Sequence, residues 1–130
     1  MEEISAKTQM AKIRTFEKGF IAIHTINMGA ELDIFTALSE NKEGLTVSDL
    51  AVKLNLHEPY LKIWCQTAYH FEILDADDQG RFKLQPFLNE ILGDKTNFRN
   101  YLTPISLDVK GGENMKLAVE SLQTGKPFET

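Results

Sequence analysis

Residues 46–84 read TVSDLAVKLNLHEPYLKIWCQTAYHFEILDADDQGRFKL. Thr46-Val47-Ser48-Asp49 is shaped like a capping box: the Thr46 hydroxyl is set to accept a backbone N–H and Asp49 to reach back, just ahead of Leu50, Ala51 and Leu54. The pattern predicts a helix over about 47–54. Asn55-Leu56-His57 breaks it, and Pro59 suits the first turn of a new helix from about Glu58, where its missing N–H costs nothing. In that helix Leu61, Trp64, Ala68 and Phe71 fall on one stripe, and Lys62, Gln66 and Tyr69 face the other way. Two helices joined by three residues form a helix-turn-helix. Ile73-Leu74-Asp75-Ala76, the turn Asp77-Asp78-Gln79-Gly80 and the alternating Arg81-Phe82-Lys83-Leu84 then read as a β-hairpin, which in this position is a wing. The predicted fold is mainly α: a winged helix-turn-helix with a short hairpin wing and flanking helices at both ends.

Upstream, Ser5 to Met28 carries Ile13, Phe16, Phe20 and Ile23 at helical spacing, with Ile21 and Ile26 widening the stripe and Gly29 as the expected stop. So wide a stripe faces a second copy, another domain, or the domain's own core. Glu31 to Leu38 predicts a shorter helix with Leu32, Phe35 and Leu38 inward and Glu31 and Asp33 in its first turn, followed by a loop over Asn41 to Gly44. Downstream, Pro86 opens a helix through Phe87, Leu88, Ile91 and Leu92 to Gly93. Asn97 caps another with Phe98, Tyr101 and Leu102, interrupted near Pro104, and Gly111-Gly112 breaks the chain. A last helix, about Glu113 to Leu122, places Met115, Ala118, Val119 and Leu122 on one side and stops at Gly125-Lys126-Pro127. We expect a single domain over 1–130, with its winged-helix core at about 30–85 and flanking helices in 1–29 and 86–127.

The 130 residues can bury roughly two thirds of their unfolded surface, and 42% apolar with 25% charged residues is ordinary globular composition. Disordered and fibrous classes are excluded. A net charge of −5 supplies no global field toward nucleic acid or an anionic membrane. The single cysteine, Cys65, closes no intrachain disulfide, and Met1-Glu2-Glu3 lacks the basic start of a secretory signal, so the expected location is the cytoplasm. Phe20 to Ile26 is the most apolar stretch, but His24, Thr25 and Asn27 keep it far short of the about eighteen residues of a membrane span.

Motif by motif, chemistry is sparse. Asp75-Ala76-Asp77-Asp78-Gln79-Gly80 imitates the front of a calcium loop, yet Gln79 stands at its fifth position and Pro86 where a bidentate Glu belongs. His24, His57, Cys65 and His70 have no paired zinc-ligand spacing. Cys65 reads as a packed residue, with no basic neighbour in sequence, and His24 as a hydrogen-bonded core or interface histidine. A winged helix invites DNA, and Lys62, Gln66, Arg81 and Lys83 are the residues that would make contact. Residues 58–85 nevertheless hold Glu58, Glu72, Asp75, Asp77 and Asp78 against Lys62, Arg81 and Lys83, a net of −2 that repels phosphate, so nucleic acid is not the expected partner. The alternative function, a stand-alone winged-helix transcription regulator, rests on architecture alone. A ligand sensor or protein-interaction module on the same fold stays open beside it.

Several blocks, in order, resemble a known family: Met28-Gly29-Ala30-Glu31-Leu32-Asp33-Ile34-Phe35-Thr36-Ala37-Leu38, Leu45-Thr46-Val47-Ser48-Asp49-Leu50-Ala51, Gly80-Arg81-Phe82-Lys83-Leu84 and Leu122-Gln123-Thr124-Gly125-Lys126-Pro127. Together they are similar to the N-terminal winged-helix and dimerisation region of class I S-adenosylmethionine-dependent methyltransferases of the small-molecule O-methyltransferase type. The resemblance implies a homodimer paired through its terminal helices and a small-molecule methyl acceptor in the intact enzyme. It also implies a roof over the acceptor at positions including Phe16, Phe20, His24, Phe98, Tyr101 and Met115. S-adenosylmethionine would be held by a Rossmann-like catalytic domain, which in the family begins shortly after a segment like Thr124-Gly125-Lys126-Pro127; this chain reaches Thr130. The residues agree: glycines at 19, 29, 44, 80, 93, 111, 112 and 125 include no Gly-x-Gly pair and follow no buried parallel strand, so we expect no cofactor binding or methyl transfer by this chain alone.

Overall fold

The computed structural model of the chain describes residues 3–127. Helix α1 runs Ala6–Glu31 and α2 Ile34–Glu40. Then come strand β1 (Leu45–Thr46), α3 (Val47–Leu54), α4 (Glu58–His70), β2 (Leu74–Ala76) and β3 (Arg81–Leu84). A single π-helical turn, Asn89–Gly93, leads to α5 (Leu102–Glu113) and α6 (Met115–Thr124). The strands form one antiparallel sheet in the order β1-β3-β2, with Leu45 opposite Phe82 and Asp75 opposite Lys83. This is the expected winged helix-turn-helix with helices on both flanks.

In the decisive stretch, local chemistry and structure agree. Thr46 caps α3 by accepting from the Asp49 N–H at 3.1 Å. The reciprocal half of the box is replaced by a bond across the turn, in which the Ser48 hydroxyl donates to Glu58. Asn55 takes the left-handed conformation (φ 56°) that ends α3, and Pro59 sits in the first turn of α4. Leu61, Trp64, Cys65 and Ala68 are buried against Ile34, Phe35, Leu38, Leu50 and Leu74. β1 was not foreseen; its two residues extend the wing to three strands by pairing with β3.

Outside that stretch several expected boundaries move. Gly29 is no stop: α1 continues to Glu31, and Gly29 is buried where a Cβ would lie 2.6 Å from the Phe35 ring and 2.7 Å from Trp64. The glycine admits two aromatic rings to the helix backbone. Trp64 Nε1 donates to the Thr25 carbonyl at 3.0 Å, fixing α4 on α1. Glu31 therefore closes α1 instead of opening α2, and Asp33 precedes α2 in a left-handed conformation without a side-chain cap. The helix expected from Pro86 is only the π-helical turn, with Phe87 exposed and Gly93 pressed against Ser39 of α2. Residues 94–100 form turns and irregular backbone with no helix among them, so Asn97 caps no helix and Phe98 lies outside one. Pro104 is accommodated in the first turn of α5, and α5 passes through Gly111 and Gly112 before stopping at Glu113. α6 begins at Met115 and ends, as expected, at Gly125 with φ 76°.

Candidate functional site

The expected roof residues divide into two groups. Phe16, Phe20 and His24 are spaced i, i+4, i+8 along α1 and share one face. That face and α5 enclose a groove of about 490 Å³, lined on the α1 side also by Gly19 and Ile23, and on the α5 side by Asp108, Val109, Gly112 and Glu113. The Phe20 and His24 rings lie 4.4 Å apart between centroids, tilted by 54°. His24 and Ile23 are half-buried, whereas Phe16 and Phe20 remain 64% and 65% exposed. A Cβ added at Gly19 or Gly112 would meet nothing within 4 Å, so both glycines leave the groove open. Phe98, Tyr101 and Met115 do not line it. Phe98 projects from the turn before α5 under the Arg99 guanidinium, 4.4 Å above its ring. Tyr101 occupies the N-cap position of α5, and Met115 opens α6.

Sequence reading missed Asp108, Val109, Gly112 and Glu113, because Gly111-Gly112 signals a break in an isolated chain. Packing against α1 carries the helix through it. The strongest available signal was the apolar trio Ile105, Leu102 and Val109 at helical spacing, of which Ile105 is buried.

The exposed apolar surface is concentrated on the flanking helices. Met10, Ile13, Phe16 and Phe20 are all more than half exposed on α1. α6 has no buried residue at all, and Met115, Val119 and Leu122 of its expected stripe lie open. The first-helix stripe therefore splits: from Ile23 onward it packs on the core, and before Ile23 its side chains stay largely exposed, outside the core.

The wing presents different chemistry. Lys62 and Gln66 are exposed on α4, as expected. Arg81, however, is tied to Asp77, with Nε 2.7 Å from Oδ2. Lys83 stands directly opposite Asp75 in the β2-β3 ladder. The Asp77 carboxylate also accepts the backbone N–H of Arg81 and of Gln79, each at 2.9 Å. These bonds, the Arg81 N–H foremost, hold its pKa below the ordinary carboxylate value. Its lone pairs are used to fold the turn, which explains the calcium-like spelling of this segment. Two of the four DNA-contact candidates thus face a carboxylate of the wing itself, and the transcription-regulator alternative gains nothing. Burial pushes the Cys65 thiol up to about 12, consistent with a packed residue and opposed to a nucleophile. Among the described residues no three His, Cys, Asp or Glu side chains converge as a metal site, and no helix is long and apolar enough to cross a membrane.

Nor do the described residues fit S-adenosylmethionine. Every strand pairing is antiparallel, and the glycines lie in helices, hairpin or loop turns and caps, none of them in a strand-to-helix turn that would admit a nucleoside.

The fold defined by these elements is one found within small-molecule methyltransferases. In structure the chain is similar to an O-methyltransferase family protein from Burkholderia thailandensis, at 12% identity and a TM-score of 0.75 over 95% of this chain and 35% of that one. It is similar as well to human N-acetylserotonin methyltransferase, determined in complex with S-adenosylmethionine, at 11% identity and a TM-score of 0.76 over 97% and 37% of the two chains. A third likeness is to the N,N-8-amino-8-demethyl-D-riboflavin dimethyltransferase of Streptomyces davawensis, at 19% identity and a TM-score of 0.66 over 95% and 36%. The chain spans about a third of the length of these structures. No family model matches the sequence and no curated protein matches it significantly, so the likeness is one of fold.

Proposed function

We propose that this chain is the pairing and substrate-capping module of an S-adenosylmethionine-dependent methyltransferase acting on a small molecule in the cytoplasm, without catalytic activity of its own. The observation that carries the reading is the unpartnered apolar surface of α1 and α6, on a fold that the methyltransferases use for about a third of their length. In this reading the single domain over 1–130 keeps its winged-helix core at 30–85 as a scaffold. The flanks, 1–29 and 86–127, associate with a second copy through α1 and α6, and the α1–α5 groove closes over the methyl acceptor. Phe16, Phe20 and His24 would contact the acceptor, with Phe98, Tyr101 and Met115 contributing to pairing or to the roof once the parts are assembled. The cofactor and the transfer step belong to a Rossmann-like domain outside this chain.

The first test is the mass of the native protein in its source cells, detected with an antibody to this chain. The proposal predicts a species two to three times larger than 14.7 kDa, as the neighbours' lengths imply. A native species of 14.7 kDa would contradict it.

A further inference from the structure

The two walls of the α1–α5 groove differ in kind. The α1 wall offers the Phe16 and Phe20 rings, Ile23 and His24. The α5 wall offers Asp108 and Glu113 around Val109 and Gly112, and no Lys or Arg lines either wall. Among the described residues neither carboxylate has a cation within ion-pair distance. An aromatic floor with unpaired negative charge on the facing rim complements a ligand that is apolar at one end and positively charged at the other. Ring faces add a cation–π attraction for the same charge. A second hollow, farther along α1 against Asn27, Ala30 and Glu31, has the reverse character, with Lys95 and Lys110 and the single carboxylate of Glu31. The negative sign thus belongs to this groove and is not a uniform consequence of the chain's net charge.

We propose that the groove selects a small aromatic ligand bearing a protonated amine, its ring against Phe16 and Phe20 and its ammonium toward Asp108 and Glu113. This deepens the capping role proposed above and rests on it, for it names the acceptor class that the roof would admit. Anionic aromatics are disfavoured, since their carboxylate would meet both acids.

Three probes on one phenylethyl skeleton decide the matter: 2-phenylethylamine, 2-phenylethanol and 3-phenylpropionate, titrated into the 130-residue chain and followed by backbone amide shifts. The amine is expected to perturb the amides of residues 16–24 and 108–113 saturably, with an affinity roughly fivefold above that of the alcohol and a preference that weakens with salt. Asp108→Asn with Glu113→Gln should erase the preference while leaving the alcohol's affinity unchanged. Both acids are exposed, so the fold survives the change. Gly112→Leu, which projects a side chain into the groove, should block amine and alcohol alike. If amine, alcohol and propionate bind equally, the charge selection is wrong and the roof stands. If none of the three perturbs the groove, the capping role itself fails.

Discussion

At Gly29 a single hydrogen atom decides how close two helices come. The Phe35 and Trp64 rings occupy the space a Cβ would need, and both are core residues that cannot swing aside. Gly29→Ala is therefore expected to cost about 2 kcal/mol, as overpacking does, read from the midpoint of urea unfolding. Gly19, also within α1, has nothing within 4 Å of the same position. Gly19→Ala should instead stabilise by about 0.5–1 kcal/mol through helix propensity and a less flexible unfolded chain. Opposite signs from the same substitution in one helix separate packing from propensity. Asp77 makes a second residue-level case. Its folded pKa lies below the unfolded value, so its contribution is present above the unfolded carboxylate pKa and is lost as pH falls through the folded one. Amide shifts of the wing residues 77–81 should titrate in that acid window, and Asp77→Asn should remove the transition.

Among the elements, α3, α4 and the β2–β3 hairpin were legible in the sequence because their boundaries are written in side-chain chemistry. Thr46 accepts a backbone N–H, Asn55 tolerates the left-handed conformation, Pro59 starts a helix, and Asp77 folds a turn. What escaped reading is set by distant packing. Gly93 permits the π-helical turn to press on Ser39, Gly29 lets α1 run on beneath two aromatic rings, and α5 crosses Gly111-Gly112 while lying on α1. β1 escaped for another reason, since two residues carry no periodicity. The groove divides in the same way: Phe16, Phe20 and His24, expected from the family resemblance, share one helical face that their spacing makes legible, whereas Asp108 and Glu113 reach the groove through a helix whose course the sequence misstates. One element is set apart by its lack of burial. Because α6 covers no core residue, truncating the chain after Asn114 should leave the unfolding midpoint of the dilute chain within about 0.5 kcal/mol, the ordinary effect of surface changes. A larger loss, seen in the same urea titration, would mean that α6 supports the fold rather than an interface.

Over the whole molecule, apolar surface is partitioned unevenly. The winged-helix body encloses Ile34, Phe35, Leu38, Leu50, Trp64 and Leu74, while the first half of α1 and all of α6 leave Ile13, Phe16, Phe20, Met115, Val119 and Leu122 open. Water strongly disfavours so much grouped apolar surface, and burying each large side chain returns about 1.5–3 kcal/mol. Under the proposed pairing, a second copy would offer the same surfaces and satisfy them by symmetry. The most direct test of the pairing role is sedimentation equilibrium of the 130-residue chain over a wide concentration range, alongside Ile13→Glu and Leu122→Glu, two exposed positions outside the groove. A reversible dimer at twice 14.7 kDa is expected, and the variants should return it to monomer without loss of helicity. A chain that stays at 14.7 kDa at every concentration would contradict it.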